Sequence, residues 1–421
     1  MNKRNSSILL TMRILYLSQY FPPEAGATQS RAFEMARNWV RMGHHLTMIT
    51  EFPNHPSGIM DKAYRGKFLE RSNLEGIDVI RVWVKTSPNK IFINRMLFYL
   101  TFMLNAVIAG MLLARGKYDL IYASSPPLFV GGSALALSFI KRIPLIFEVR
   151  DLWPESAIAL GELSNHTVIS FATRLENACY HRAKLVVVVT RGIYDRLVER
   201  GINSGKLTII PNGANTDMFT FRLVSRQQIR HELNLEGKFI AIYAGILGLA
   251  QGLETILESA NLLRENPQIH FLFIGDGPKK VELIDLAKKY TLPNVTFLSE
   301  KPTDQIPEYL SAADVALVPL RKVAVFKGVL PSKLFDAWAC QRPVLISIDG
   351  EARAIVEEVQ GGIYVPPEEP EKIAEGLIDL MNSPDQRDQM GENGRNYTQS
   401  THSRAALAEM LIHILENRIH S

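Results

Sequence analysis

Short runs of apolar, often β-branched residues alternate with stretches of helical periodicity from Arg13 almost to the end of the chain. Such alternation is typical of βαβ units, in which period-two strands and period-3.6 helices follow one another. The runs are apolar on both faces, which predicts strands covered by helices on either side and therefore parallel. The chain is thus predicted to be an α/β protein built on doubly wound parallel sheets.

The chain is long enough for two such sheets. Its 421 residues exceed the roughly 250–300 at which a single core stops growing, so two domains are expected. The predicted strands of the first sheet are Arg13–Ser18, Leu46–Thr50, Asp78–Val82, Asp119–Ala123, Pro144–Val149, Leu185–Thr190 and Leu207–Ile210. Those of the second sheet are Phe239–Ala244, His270–Ile274, Val295–Leu298, Asp314–Pro319, Pro343–Ser347 and Ile363–Val365.

The domain boundaries follow from these two sets of strands. Residues 1–215 form the predicted first domain, in which residues 1–11 are an upstream extension. Residues 216–400 form the second domain, and residues 401–421 a final helix that could belong to either domain and is placed back toward the first. The segment Thr216–Gly237 is charged and has no strong apolar run, so the linker is predicted there.

The charge differs between the two halves. Residues 1–215 carry a net +11 and residues 216–421 a net −7. A basic first domain indicates an anionic partner, and a membrane surface or a phosphate-bearing substrate is favoured. No zinc spacing or RNA-binding motif accompanies the charge, so nucleic acid is not an expected partner. With only two cysteines, a disulfide framework or Cys-rich metal module is excluded and a cytoplasmic protein is expected.

One segment departs from the α/β pattern. Met96–Ala114 is a run of 19 residues without a charge, close to the ~20 that span a bilayer. A true span would tear the sheet from its helices and is disfavoured. Burial as a core helix and insertion into a membrane surface remain open alternatives.

Ligands of open α/β sheets bind at the carboxyl ends of the strands, so the loops there are the candidate sites. In the first domain, Gly26 starts a helix and either lets an anion approach the backbone amides or serves only the turn. After the fifth strand, Arg150, Asp151 and Glu155 are crowded into one loop with Trp153. These charges either serve an acceptor or form a structural ion pair.

The second domain offers a phosphate site. Gly245–Gly252 is a glycine-rich loop between a strand and a helix, although it lacks the dinucleotide spacing G-x-G-x-x-G. Pro331 and Ser332 open a helix whose first turn carries Lys333, so helix dipole and cation can act on the same phosphate. Asp336, one turn on, can accept hydrogen bonds from ribose hydroxyls or form a local ion pair with Lys333.

Together these motifs resemble the family 4 glycosyltransferases, of GT-B fold, from Met12 onward. The nearest subgroup looks like the bacterial transferases of O-antigen, capsule and colanic acid, including N-acetyl-L-fucosamine transferases. The motifs that carry the resemblance are Pro22-Pro23-Glu24-x-Gly26, Gly43-His44, Arg150-Asp151-Leu152-Trp153-Pro154-Glu155, Ile210-Pro211-Asn212-Gly213, Gly275-x-Gly277-Pro278 and Pro331-Ser332-Lys333.

The resemblance implies two Rossmann-like domains facing a cleft, with a nucleotide sugar in the second domain and the acceptor at the first. The predicted catalytic residues are Arg150, Asp151, Glu155 and Lys333. The predicted donor-binding residues are Gly26, Gly245, Gly248, Gln251, Gly277, Phe297, Arg321, Ser332, Lys333 and Asp336. No metal and no cofactor beyond the nucleotide sugar are expected.

The chain also departs from the family pattern at several positions. Gly328 stands where the first of two glutamates is usual, and Asp336 replaces the second. Ile246 and Gln251 replace the usual Arg and Lys of the diphosphate loop. The phosphate charge must therefore be met by other cations, for which the candidates are Lys333, Arg321, Lys322 and Lys327.

The resulting hypothesis is a retaining, metal-independent glycosyltransferase. It would move a sugar from a nucleoside diphosphate, expected to be UDP, to a polyprenyl-diphosphate-linked acceptor at the inner face of the plasma membrane. A non-catalytic GT-B scaffold protein of a polysaccharide assembly complex and a nucleotide-sugar epimerase are the alternatives. The apolar segment and the basic first domain argue against an epimerase, whose substrate is soluble.

Overall fold

The computed structural model describes residues 11–24, 26–54, 57–89 and 91–420. The predicted extension over residues 1–11 lies outside this part of the chain except for Thr11. Two α/β domains, each built around a largely parallel sheet, face each other across a cleft. The predicted fold class is confirmed.

The first sheet has the strand order β3-β4-β2-β1-β5-β6-β7-β8. Its strands are β1 (Arg13–Leu17), β2 (His45–Glu51), β3 (Leu69–Leu74), β4 (Ile77–Val82), β5 (Leu120–Ser125), β6 (Leu145–Val149), β7 (Leu185–Val188) and β8 (Leu207–Ile209). The helices that belong to this part of the chain are α1 (Ala27–Arg41), α2 (Phe92–Leu112), α3 (Phe129–Lys141), α4 (Glu155–Ala159), α5 (His166–Arg182) and α6 (Arg191–Glu199).

Strand β3 was not predicted, and it is the exception to the parallel arrangement. It pairs antiparallel with β4 at the edge of the sheet. The two strands are joined by Glu75 and Gly76, whose φ angles of 49° and 86° form a tight hairpin turn. The sequence of β3 is mostly polar because an edge strand is half solvated, so it gave no apolar run to recognise.

The second sheet has the order β11-β10-β9-β12-β13-β14, and all its pairs are parallel. Its strands are β9 (Phe239–Ala244), β10 (Ile269–Ile274), β11 (Val295–Leu298), β12 (Val315–Pro319), β13 (Val344–Ser347) and β14 (Gly362–Tyr364). The remaining helices are α7 (Leu223–Glu232), α8 (Leu253–Leu262), α9 (Lys280–Lys289), α10 (Ile306–Ala312), α11 (Ser332–Ala339), α12 (Glu351–Val359), α13 (Pro370–Asn382), α14 (Pro384–Thr401) and α15 (Arg404–His420).

The predicted linker Thr216–Gly237 is largely wrong, because helix α7 forms within it. This helix buries little apolar surface and is held by its arginines instead. Arg226 and Arg230 each place a guanidinium nitrogen 2.6 Å from a different oxygen of Asp314. Both arginines also donate to carbonyls at the end of α10, which satisfies groups left open at a helix terminus.

The chain crosses between the domains twice, and the two crossings lie side by side. Ala214 and Ser403 form an isolated parallel bridge. Beyond the second crossing, α15 returns to the first domain and packs against α1. There Trp39 donates from Nε1 to the carbonyl of Ala408 at 2.9 Å, inside a shared apolar cluster.

A buried ion pair fixes the base of the first crossing. Arg31 of α1 lies 2.9 Å from Glu148 of β6, and both side chains are almost fully buried. Tyr122 donates its hydroxyl to the same carboxylate at 2.8 Å, and Arg31 also donates to the carbonyls of Ile210 and Pro211. Burial alone would raise the pKa of Glu148, but the charges of Arg31 and Arg150 and the hydrogen bonds from Ser124 and Arg31 together outweigh burial and hold that pKa below its usual value.

We expect Arg31→Met to lower the free energy of unfolding by about 3–5 kcal/mol, because it removes the cation that is hydrogen-bonded to the buried Glu148 carboxylate. The matched control is Arg71→Met, since Arg71 and Asp78 form an exposed pair at 2.7 Å that contributes below about 1 kcal/mol. Urea unfolding of both variants measures the difference. Equal losses in the two variants would contradict the assignment.

Candidate active site

The cleft between the domains has a volume of about 820 Å³ and is lined by residues of both sheets' carboxyl-end loops. Most of the predicted site residues meet in it. Those that line the cleft are Gly26, Arg150, Asp151, Glu155, Gly245, Gln251, Gly277, Ser332, Lys333 and Asp336. Those that do not line it are Gly248, Phe297 and Arg321.

Two glycine loops form the floor of the cleft in the second domain. The loop after β9 and the loop after β10 pack backbone to backbone, with Leu247 N donating to Asp276 O at 2.9 Å. A Cβ on Gly275 would lie 1.9 Å from the carbonyl oxygen of Gly245, and both glycines have φ near 150°. The close approach of the two loops therefore requires glycine here.

Helix α11 begins at this floor. Its first turn brings Lys333 to the glycine loops, where a Cβ on Gly245 would lie 3.0 Å from Nζ. The ammonium also lies 3.9 Å from the centroid of the Tyr243 ring. Burial lowers the pKa of Lys333 to about 7, although the charge of Asp336 opposes the shift. This amine therefore changes charge near neutral pH.

Asp336 faces the start of the last helix, α15. Its Oδ1 lies 3.8 Å from a guanidinium nitrogen of Arg404, the first residue of α15, and has no hydrogen-bond partner. Burial raises the pKa of Asp336 to about 6, against the charges of Arg404 and Lys333. An unsatisfied carboxylate oxygen beside the cleft is suited to accept a hydrogen bond from a ligand hydroxyl.

The loop after β6 lies on the opposite wall. Asp151 accepts a hydrogen bond from the hydroxyl of Ser156 at 2.8 Å, and burial raises its pKa. Glu155 is bound to Arg196 at 3.1 Å and Arg200 at 3.3 Å. Glu155 therefore joins α4 to α6 through ion pairs with two arginines that were not named from the sequence.

Three of the predicted donor-binding residues and two further cation candidates do not line the cleft. Phe297 is half-buried against the core and stacks on Phe273 with ring centroids 4.9 Å apart. Arg321 lies 3.7 Å from Glu254. Gly248 precedes the turn Leu249–Gln251. Lys322 and Lys327 are exposed and do not line the cleft.

Sequence reasoning missed the contacts that close the cleft. Glu351 of α12 accepts hydrogen bonds from the backbone of Arg191 and Gly192 at 3.0 Å each, across the domain interface. The same interface is tight at position 328, where a glutamate is usual in the family. A Cβ on Gly328 would lie 3.1 Å from the Gly192 Cα, so a side chain there would require α6 to shift by a few tenths of an ångström. In the sequence, the one feature that could have drawn attention to Glu351 is its position in the first turn of a helix.

Comparison with known proteins finds a family match for each half of the chain. A model of the glycosyl transferase 4-like domain matches residues 26–213, and one of glycosyl transferases group 1 matches residues 225–397. The glycosyl transferase WcaI of Escherichia coli K12, named for colanic acid biosynthesis, is 26% identical over 386 residues, 89% of this chain and 93% of that protein. The two matched domains meet where the chain first crosses between the sheets.

Solved structures confirm the GT-B fold. Sucrose-phosphate synthase from Thermosynechococcus elongatus superposes with a TM-score of 0.74 at 19% identity, covering 96% of this chain and 98% of that one. HepE from Anabaena, solved with UDP and glucose, gives a TM-score of 0.72 at 18% identity, covering 96% and 99%.

The charge state of Lys333 gives a measurable prediction. A bound diphosphate raises the pKa of a nearby amine, so at pH 8 UDP binding should be accompanied by uptake of about one proton. Calorimetry in two buffers of different ionisation heat measures this number. The control is Lys333→Arg, which is always charged and should remove the uptake. Equal uptake by both proteins would assign the proton to another group.

Proposed function

Because the chain belongs to the group 1 glycosyltransferases, family 4, we propose that it transfers a sugar from a nucleoside diphosphate to a lipid-linked saccharide in surface polysaccharide assembly. The observation that carries this proposal is the start of α11, which presents Lys333 and Asp336 to a cleft that opens between the two domains. A cation and a helix N-terminus suit a diphosphate, and a carboxylate suits a ribose. The colanic acid relative supports the polysaccharide context.

The donor we propose is a UDP-sugar whose sugar is N-acetyl-L-fucosamine or a related deoxyamino sugar. UDP is supported by HepE, a structural neighbour solved with that nucleotide. The deoxyamino sugar is supported by the resemblance to transferases of O-antigen and capsule assembly. The acceptor we propose is a saccharide on a polyprenyl diphosphate.

The proposed reaction retains the anomeric configuration and uses no metal. The bond between the anomeric carbon and the β-phosphate oxygen breaks, and the acceptor oxygen bonds to the same face of that carbon. The acceptor proton passes to the leaving phosphate. The residues of this chain stabilise the leaving diphosphate by charge: Lys333 at the glycine loop and the dipole of α11 act where negative charge develops.

Two substitutions test the donor site. Lys333→Ala should lower turnover about 10²-fold, because the charge of Lys333 acts most strongly on the leaving diphosphate.

Asp336→Asn should weaken UDP binding about tenfold or more, whereas Asp336→Glu, which restores the family's usual residue, should bind UDP normally. Calorimetry measures affinity, and hydrolysis or transfer of UDP-sugar in a membrane extract measures turnover. UDP binding without any turnover would favour the scaffold alternative.

We also propose that the first domain lies on the inner face of the plasma membrane through α2. This helix is 21 residues long and apolar enough to cross a membrane by length and composition. One face, with Phe102 and Ala106, is buried against the sheet and α3. The other face exposes Leu97, Leu104 and Ile108, with Leu104 59% exposed. A helix with one apolar face in the core and one in solvent suits attachment to a surface.

The residues around α2 also support its attachment to the membrane surface. Next to its end, α3 exposes Phe139 (72%) and Ile140, and Lys141 of α3 donates to the carbonyl of Ala114 at 3.0 Å. Lys141 therefore stands beside this apolar surface, and basic residues next to an apolar face supply the two attachments that stable membrane binding needs.

Liposome sedimentation tests this attachment. The wild-type protein should sediment with anionic vesicles and be only partly released by high salt, since salt screens charge but not apolar insertion. Leu104→Ser with Ile108→Ser should make the binding fully salt-sensitive. The control is Leu223→Ser with Val224→Ser, which removes two apolar side chains that are at least as exposed, at 59% and 77%, from α7 of the second domain. Identical behaviour of both double variants would contradict the proposal.

A further inference from the structure

The diphosphate loop of this chain lacks its own cations. The positions that usually carry Arg and Lys hold Ile246 and Gln251, yet Lys333 brings an ammonium to Gly245 of the same loop. A lysine side chain has much rotamer freedom, and ordering it on binding costs affinity. What holds this lysine in place before a ligand arrives therefore matters for binding.

Tyr243 is the group that meets it. The ring lies 3.9 Å from the Lys333 Nζ, within cation–π range. Tyr243 is fully buried at the end of β9, and its hydroxyl donates to the Ile246 carbonyl at 2.6 Å. One rigid side chain thus contacts both the ammonium and the loop that the ammonium must serve.

An aromatic ring has an advantage over a carboxylate at this place. A carboxylate paired with Lys333 would repel an incoming diphosphate and would have to be displaced by it. The ring stabilises the cation through its quadrupole and carries no charge. Burial raises the pKa of Tyr243, so the ring stays neutral across the physiological range.

We propose that Tyr243 is a positioning residue for donor binding, which holds the Lys333 ammonium at the Gly245 loop in place of the missing loop cations. This inference rests on the proposed function, since it takes the diphosphate of the donor as the ligand of Lys333. The charged groups that face Lys333 are few: Asp336 acts on it from one turn along α11, and that carboxylate is itself next to Arg404.

Two variants of Tyr243 separate the ring from the hydroxyl. Tyr243→Phe keeps the ring and loses the hydrogen bond to Ile246, whereas Tyr243→Leu loses both. We expect Tyr243→Leu to bind UDP about tenfold more weakly, and Tyr243→Phe to remain within about threefold of wild type. GDP titrated in parallel covers a donor with the other common base.

The pH profile supplies a readout that a structural role would not change. UDP affinity should fall above the pKa of Lys333, because the neutral amine no longer attracts the diphosphate. Loss of the ring removes a stabiliser of the charged form and lowers that pKa. The decrease in UDP affinity should therefore begin at a lower pH in Tyr243→Leu than in wild type, and at the wild-type pH in Tyr243→Phe. A profile that does not move in Tyr243→Leu would overturn the proposal.

A double-mutant cycle distinguishes this inference from the donor site itself. In a Lys333→Ala background, Tyr243→Leu should cause no further loss of UDP affinity, since there is no ammonium left to hold. Additive losses would mean that Tyr243 acts through the loop alone and would overturn the inference. If Lys333→Ala itself binds UDP like wild type, the proposed donor site fails instead.

Discussion

The ion pair between Arg31 and Glu148 is the interaction on which the geometry of the cleft depends. Both side chains are nearly inaccessible to water, so neither charge would be tolerated without the other. The same guanidinium binds the carbonyls of Ile210 and Pro211, where the chain leaves the first sheet. The next residue, Asn212, donates to the Leu330 carbonyl at 3.0 Å, directly before α11 begins. One buried pair thus connects the core of the first domain to the start of the helix that serves the donor.

The cleft combines a rigid floor with titratable walls. Backbone hydrogen bonds between the glycine loops fix the floor, while burial moves the pKa of Lys333 to about 7 and that of Asp336 to about 6. These two groups lie one helical turn apart. The pKa of the lysine is lowered and that of the aspartate is raised, so both values lie close to neutral pH. Both groups are therefore close to the point at which a bound ligand can change their charge, so we expect nucleotide binding to be accompanied by proton exchange.

The sequence was informative where a local pattern decides the structure. Buried parallel strands are continuous apolar runs, and the start of α11 is visible from Pro331 and Ser332, so both sheets and the start of this helix could be predicted. Helix α7 could not, because it is held by ion pairs to Asp314 rather than by an apolar face. Arg404 and Tyr243 reach the site through the fold, from far along the chain or from inside a strand. No spacing rule connects them to Lys333.

The paired crossings at Ala214 and Ser403 restrict how the two halves can be separated or recombined. Helix α15 belongs spatially to the first domain, although it is encoded after the second, and Trp39 depends on it for a hydrogen-bond partner. A chimaera that exchanged the second domain at a single junction would bring a foreign α15 onto α1. Exchange of a whole domain in this chain therefore needs two junctions, one near each crossing, so that the first domain keeps its own last helix.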